Sequence, residues 1–151
     1  MPKKIALITG ISGQDGAYLA RFLLKKKYKV IGVERRSARS NNWRLERLNI
    51  ANKVTIEDID IKEINNLIRL FNKYKIDEVY NLAAQSFVHS SFQNPIETSQ
   101  VNAIGVLNLL EIIYRFGDLH VYHTKAYKLI KPMKSIINNQ IIPLTYHKHP
   151  N

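Results

Sequence analysis

Residues 5–19 read I-A-L-I-T-G-I-S-G-Q-D-G-A-Y-L. An apolar run stops at three glycines, each separated from the next by two residues, and an amphipathic run begins at the last of them. That order specifies a strand, a tight turn and a helix packed back against the strand. Gly10 permits the turn, Gly13 lets a phosphate approach the backbone without a side chain in the way, and Gly16 lets the helix come close. The helix N-terminus then presents unpaired N–H groups to an anion, which is how folds of this kind hold the pyrophosphate of a dinucleotide. The alternative is an ordinary strand-to-helix turn without a ligand. Three glycines alone are a weak signal, but their placement between an apolar strand and a helix favours the phosphate seat.

The remaining pattern alternates. Strands are predicted over 4–9, 29–34, 53–59 and 78–83. Helices are predicted over 15–27, 43–48, 62–75 and 95–116. The inward residues of the first long helix are Ala17, Leu19, Ala20, Phe22, Leu23 and Leu24. Those of the helix over 62–75 are Ile64, Leu67, Ile68 and Phe71. Those of the last helix are Val101, Ile104, Leu107, Leu110 and Ile113, with Gly105 admitting a close neighbour. Alternating strands and helices give an α/β fold, a doubly wound parallel sheet (Rossmann-like) with right-handed crossovers. Composition shifts near Gly117, where Lys, His, Asn and Ile become frequent. Two segments are therefore expected: a dinucleotide-binding domain over 1–116 and a divergent, poorly packed basic tail over 117–151.

The 151 residues suffice for one domain with a core. The absence of cysteine excludes disulfides and thiolate metal sites. The opening M-P-K-K-I-A-L-I-T-G is too short an apolar run for a signal peptide, and no segment has membrane-spanning length, so a soluble cytoplasmic protein is expected with no membrane partner. The net charge of +11 comes from 23 basic and 12 acidic residues. Its lysines are scattered, with Lys25, Lys26, Lys27, Lys73 and Lys75 at helix ends where the dipole favours cations. A nucleic-acid partner is not required. His120, His123, His147 and His149 have metal-like spacings, but no carboxylate or cysteine accompanies them, and a loose basic tail is the better reading.

Three strand ends carry candidate binding residues. After the second strand, Glu34 is followed by Arg35 and Arg36, then Ser37 and Arg39. A guanidinium fork suits a ribose 2′-phosphate, which points to NADP. After the third, Asp60 can accept from an adenine amino group with Ile61 packing on the ring, or Asp60 can simply cap the next helix. After the fourth, Leu82, Ala83 and Ala84 are small or apolar and let ribose and nicotinamide lie along the backbone. Gln85 and Ser86 then face the reacting centre.

T-G-I-S-G-Q-D-G at 9–16, R-R-S at 35–37, W-R-L at 43–45, E-V-Y-N-L-A-A-Q-S-F-V at 78–88 and G-V-L-N-L-L-E-I-I at 105–113 resemble the GDP-mannose 4,6-dehydratase family of the extended short-chain dehydrogenase/reductases. The resemblance covers about residues 3–116. It implies that Gly10, Ile11, Ser12, Gly13, Gln14 and Asp15, with Gly16 behind them, hold the NADP pyrophosphate. Arg35 or Arg36 would take the 2′-phosphate, Asp60 and Ile61 the adenine, and Leu82 to Ser86 the ribose and nicotinamide. It further implies conversion of GDP-mannose to GDP-4-dehydro-6-deoxymannose. In that chemistry a tyrosinate deprotonates the 4-hydroxyl as NADP⁺ takes hydride from carbon 4. A carboxylate then removes the carbon 5 proton as water leaves carbon 6, and the hydride returns there. A homo-tetramer is implied, with the loop over 37–42 reaching a neighbouring subunit's cofactor.

Beyond Phe116 the motifs stop. His120, Val121, Tyr122 and His123 can form the next strand, but no Ser-Thr-Ser-Glu run follows. Tyr127 and Lys131 reproduce the Tyr-x-x-x-Lys spacing of the family's catalytic pair. They fall too soon after the last helix, and such a spacing arises readily by chance in a lysine-rich chain. The segment over 117–151 reads as the damaged or out-of-frame end of a longer gene, and the chain as an N-terminal portion, inactive alone, that lacks the later strands and the sugar-binding domain. The alternatives are another NADP-linked nucleotide-sugar epimerase or reductase, or a non-catalytic dinucleotide-binding or subunit-interaction module.

Overall fold

A computed structural model describes residues 3–35, 41–85, 88–117 and 120–123. In chain order the elements are β1 (Ile5–Thr9), α1 (Gln14–Lys25), β2 (Lys29–Glu34), α2 (Trp43–Arg47), β3 (Thr55–Asp58), α3 (Ile64–Lys73), β4 (Glu78–Asn81), α4 (Val88–Gln93), α5 (Pro95–Ser99), α6 (Gly105–Phe116) and β5 (His120–His123). A π-helical turn, Gln100–Ile104, joins α5 to α6. All strand pairs described are parallel, in the order β3-β2-β1-β4-β5. The doubly wound sheet predicted from the alternating pattern is present. β5 lies past residue 116, where the sequence places the end of the domain, and pairs with β4 from Glu78↔His120 to Asn81↔His123. Tyr80 and Tyr122 stack across that pair at 4.7 Å.

The central strands β1 and β2 carry apolar runs on both faces because helices cover both, whereas β3, β4 and β5 are more polar. Ala6 and Ile8 of β1 and Val30 of β2 pack with Ala17, Ala20 and Leu23 of α1. Leu7, Ile31, Val33 and Val79 point the other way, to Leu67, Leu70 and Phe71 of α3 and to Leu109, Ile112 and Ile113 of α6. Alternate residues of one strand thus feed two separate cores.

Two predicted inward faces need correction. Phe22 is 54% exposed, because α1 buries the narrower stripe of Gly16, Ala17, Ala20 and Leu23. In the last helix Ile104, Leu107 and Leu110 are exposed, and Gly105, Leu109, Ile112 and Ile113 are buried. A face stepped three residues at a time drifts by about 60° per step round an α-helix. The inward face instead runs from half-buried Val101 to Gly105 and on to Leu109. Gly105 takes the close contact predicted for it: a Cβ there would lie 2.6 Å from Ile61 Cδ1.

Candidate dinucleotide site

β1 is central, and the chain reverses the direction of strand addition between β3 and β4. Ligands of open α/β sheets settle beyond the carboxyl ends of the strands at such a point. Thr9 closes the floor of this crevice. It is fully buried, its Oγ1 donates to Asn81 Oδ1 at 2.6 Å, and it accepts from Leu82 N at 3.1 Å and Ala83 N at 3.0 Å. One hydroxyl therefore ties the ends of β1 and β4 together.

Gly10 leaves β1 with φ +69°, and its N–H donates to Val33 O at 3.0 Å. A Cβ at Gly10 would lie 3.0 Å from Ala83 N, so the turn rests directly on the backbone after β4. Gly13 N donates to Gly10 O at 3.1 Å. A Cβ at Gly16 would stand 2.4 Å from Gly10 O. The third glycine thus brings α1 against the turn itself, more than against the strand. Gly13 is the N-cap of α1 and has no side chain to occupy the N–H groups of the first turn. Gly13, Gln14 and Asp15 are exposed, whereas the Ile11 side chain is fully buried in the core against Gly32. A turn whose glycines exclude side chains, opening onto an uncapped helix start, suits a pyrophosphate in size and charge.

At the next strand end Glu34 is partly buried, and its Oε1 has no hydrogen-bond partner among the described residues. Arg35 is exposed, and its Nη1 donates to Glu97 Oε1 at 2.8 Å. Beyond β3, Asp60 is not the N-cap of α3; Glu63 holds that position, without a side-chain capping bond. Asp60 Oδ1 accepts from Lys62 N at 3.0 Å, which folds the loop on itself. Ile61 is buried in the core against Gly105. Leu82 is buried, and Ala83, Ala84 and Gln85 are half-buried. Arg36, Ser37, Arg39, Ser86, Tyr127, Lys131, His147 and His149 lie outside the described residues.

Three supporting residues have no role in the motif reading, although Arg44 and Asn108 lie within the W-R-L and G-V-L-N-L-L-E-I-I segments. Asn102, in the π turn, accepts from Gln85 N at 2.9 Å and donates to Gln85 O at 3.1 Å. Asn108, in α6, donates to Ile61 O at 3.1 Å and Lys62 O at 2.8 Å. Arg44, in α2, donates to Ser12 O at 3.1 Å. Each fixes one loop of the crevice from a helix distant in sequence.

The profile of a family described as GDP-mannose 4,6 dehydratase matches residues 7–128. A GDP-mannose 4,6-dehydratase of Vibrio cholerae serotype O1 is 48% identical over 124 residues, covering 78% of this chain and 33% of its own. One of Cricetulus griseus is 37% identical over 158 aligned positions, covering 99% of this chain and 42% of its own. The chain spans about a third of the length of the first relative. The family match and the Cricetulus griseus match continue past Phe116, where the motifs become hard to see. Among solved structures, the UDP-glucose 4-epimerase of Thermotoga maritima with UDP-glucose superposes with a TM-score of 0.68 at 26% identity, over 79% of this chain and 37% of that one. The Thermus thermophilus UDP-glucose 4-epimerase in complex with NAD gives 0.64 at 26% identity, over 75% and 34%.

Proposed function

The chain belongs to the GDP-mannose 4,6 dehydratase family, and from that membership we propose that it forms the dinucleotide-binding portion of an NADP-dependent GDP-mannose 4,6-dehydratase. The whole protein would convert GDP-mannose to GDP-4-dehydro-6-deoxymannose and water. One observation carries the reading: Gly10 lies on the Ala83 backbone beside the uncapped start of α1, in the crevice that Thr9 closes. The NAD in the Thermus epimerase supports a nicotinamide dinucleotide in this crevice. Identity of 48% to a dehydratase against 26% to the epimerases favours the dehydratase reaction.

When bound, such a cofactor supplies reversible redox chemistry at the sugar. The residues of this chain bind and orient it. Backbone amides over 11–15 take the pyrophosphate. Arg35 and Arg36 meet the 2′-phosphate and favour NADP over NAD. Asp60 and the backbone of Ile61 bound the adenine end, the Ile61 side chain being committed to the core. Leu82, Ala83, Ala84, Gln85 and Ser86 bound the path of the ribose and nicotinamide. Asn102 holds the Gln85 backbone from both its N–H and its carbonyl, and so keeps the end of that path in one position.

Proton transfer is assigned to no described residue, and the chain alone is expected to turn over little or no GDP-mannose. A soluble cytoplasmic homo-oligomer is part of the same proposal. Its support is the exposed apolar stripe of Ile104, Leu107, Leu110 and Tyr114, of a kind that marks contact surfaces. Incubating the purified chain with GDP-mannose and NADP⁺, with a parallel NADPH titration, tests the assignment. Binding without a 4-keto product is expected. Absence of NADPH binding contradicts the cofactor role, and product formation contradicts inactivity of the chain alone.

A further inference from the structure

The cation at the end of β2 is not idle. Arg35 Nη1 lies 2.8 Å from Glu97 Oε1, across the mouth of the crevice on α5. The same carboxylate receives Lys62 Nζ, at 3.1 Å to Oε1 and 3.0 Å to Oε2. Lys62 belongs to the loop after β3, and its side chain is only 20% exposed, against 64% for Arg35. Its Nζ also stands 3.6 Å from Asp60 Oδ2. Two cations from the ends of adjacent strands therefore converge on one pair of anionic oxygens.

That arrangement is chemically an anion seat with an occupant. A guanidinium and an ammonium around two or three oxygens hold a phosphate as they hold a carboxylate, and more strongly for a dianion. The Lys62 hydrogen bond and the nearby positive charge hold Glu97 below the ordinary carboxylate range, so the occupant is ionised at neutral pH. Asn108 fixes the Lys62 carbonyl, which sets where the ammonium can reach.

We propose that Lys62 joins Arg35 in forming the seat of the cofactor's ribose 2′-phosphate, and that Glu97 is an internal anion filling this seat until the phosphate displaces it. The inference rests on the dinucleotide reading above. Lys62 then builds preference for NADP over NAD, and Glu97 restrains it. Neither residue changes the affinity of a cofactor that lacks the 2′-phosphate.

Nicotinamide fluorescence titrations of this chain with NADPH and NADH, in the parent and in Glu97→Gln and Lys62→Gln, test it. The ratio of NADPH to NADH affinity should rise about fivefold in Glu97→Gln and fall about fivefold in Lys62→Gln, the scale of one exposed to half-buried ion pair. NADH affinity should hold in both, which also shows that the variants fold. A ratio that stays fixed in either variant, or NADH affinity that moves in step with NADPH, overturns the proposal and leaves the dinucleotide reading standing. A parent chain that binds neither nucleotide removes both.

Discussion

Thr9 carries more of this site than its size suggests. Its hydroxyl bonds three partners at the end of the neighbouring strand β4, in a place that water does not reach. Thr9→Val keeps the shape and removes the oxygen. Leu82 N retains the Thr9 carbonyl at 3.2 Å, but Ala83 N loses the partner it has there. The expected loss is about 2 kcal/mol in urea denaturation, the scale for a buried donor left unpaired. Dinucleotide affinity should fall with it, because the floor of the crevice loosens. This role is not legible in the sequence, because the partners lie 72 to 74 residues away. The three glycines are: they sit within seven positions, and their placement between an apolar run and an amphipathic one implies turn and helix. Asn102, Asn108, Arg44 and the Lys62–Glu97 pair are not legible. Their partners lie 17, 47, 32 and 35 residues away, and a polar side chain on a helix reads as solvent-facing until the fold brings the partner to it.

Among the elements, the segment from α5 to α6 departs most from its periodicity. Leucines at 107, 109 and 110 are equivalent to a composition argument, and only the phase of α6 against the sheet separates them. Leu109 is 2% exposed and Leu107 is 58% exposed. Leu109→Ala should therefore cost about 2–5 kcal/mol of stability, and Leu107→Ala less than about 1 kcal/mol. A denaturation comparison of the two variants checks the phase. The start of β4 is a second such case. Glu78 is buried, and burial by itself raises its carboxyl pKa. Hydrogen bonds from Tyr80 at 2.8 Å, Tyr28 at 3.0 Å and Lys4 at 3.2 Å outweigh this and leave it below 4.5. A depressed carboxylate stabilises the fold fully above 4.5 and ceases to do so as pH falls through its folded value. Thermal midpoints measured from about pH 6 downward should fall below about pH 4.5, and Glu78→Gln should flatten that slope while lowering the plateau. An unchanged slope in the variant would assign the acid sensitivity elsewhere.

For the molecule as a whole, the alternation of strand and helix is enough to predict a doubly wound sheet, because the runs in β1 and β2 are apolar on both faces and the long helices on one. The distribution of charge was not legible in the same way. Lys3, Arg21, Lys25, Lys27, Lys29 and Lys53 look scattered along the chain, yet they line one open depression at the amino ends of the strands, away from the glycine turn. These basic side chains therefore stand at the opposite end of the sheet from the proposed cofactor, and the grip on its pyrophosphate falls to backbone amides. Amide chemical shifts of the ¹⁵N-labelled chain during titration with NADPH test that division most directly. The largest shifts are predicted over residues 10–16, with those at Lys3, Lys27 and Lys53 unmoved. Saturable binding that shifts the lysine depression and leaves the turn unchanged would contradict the account.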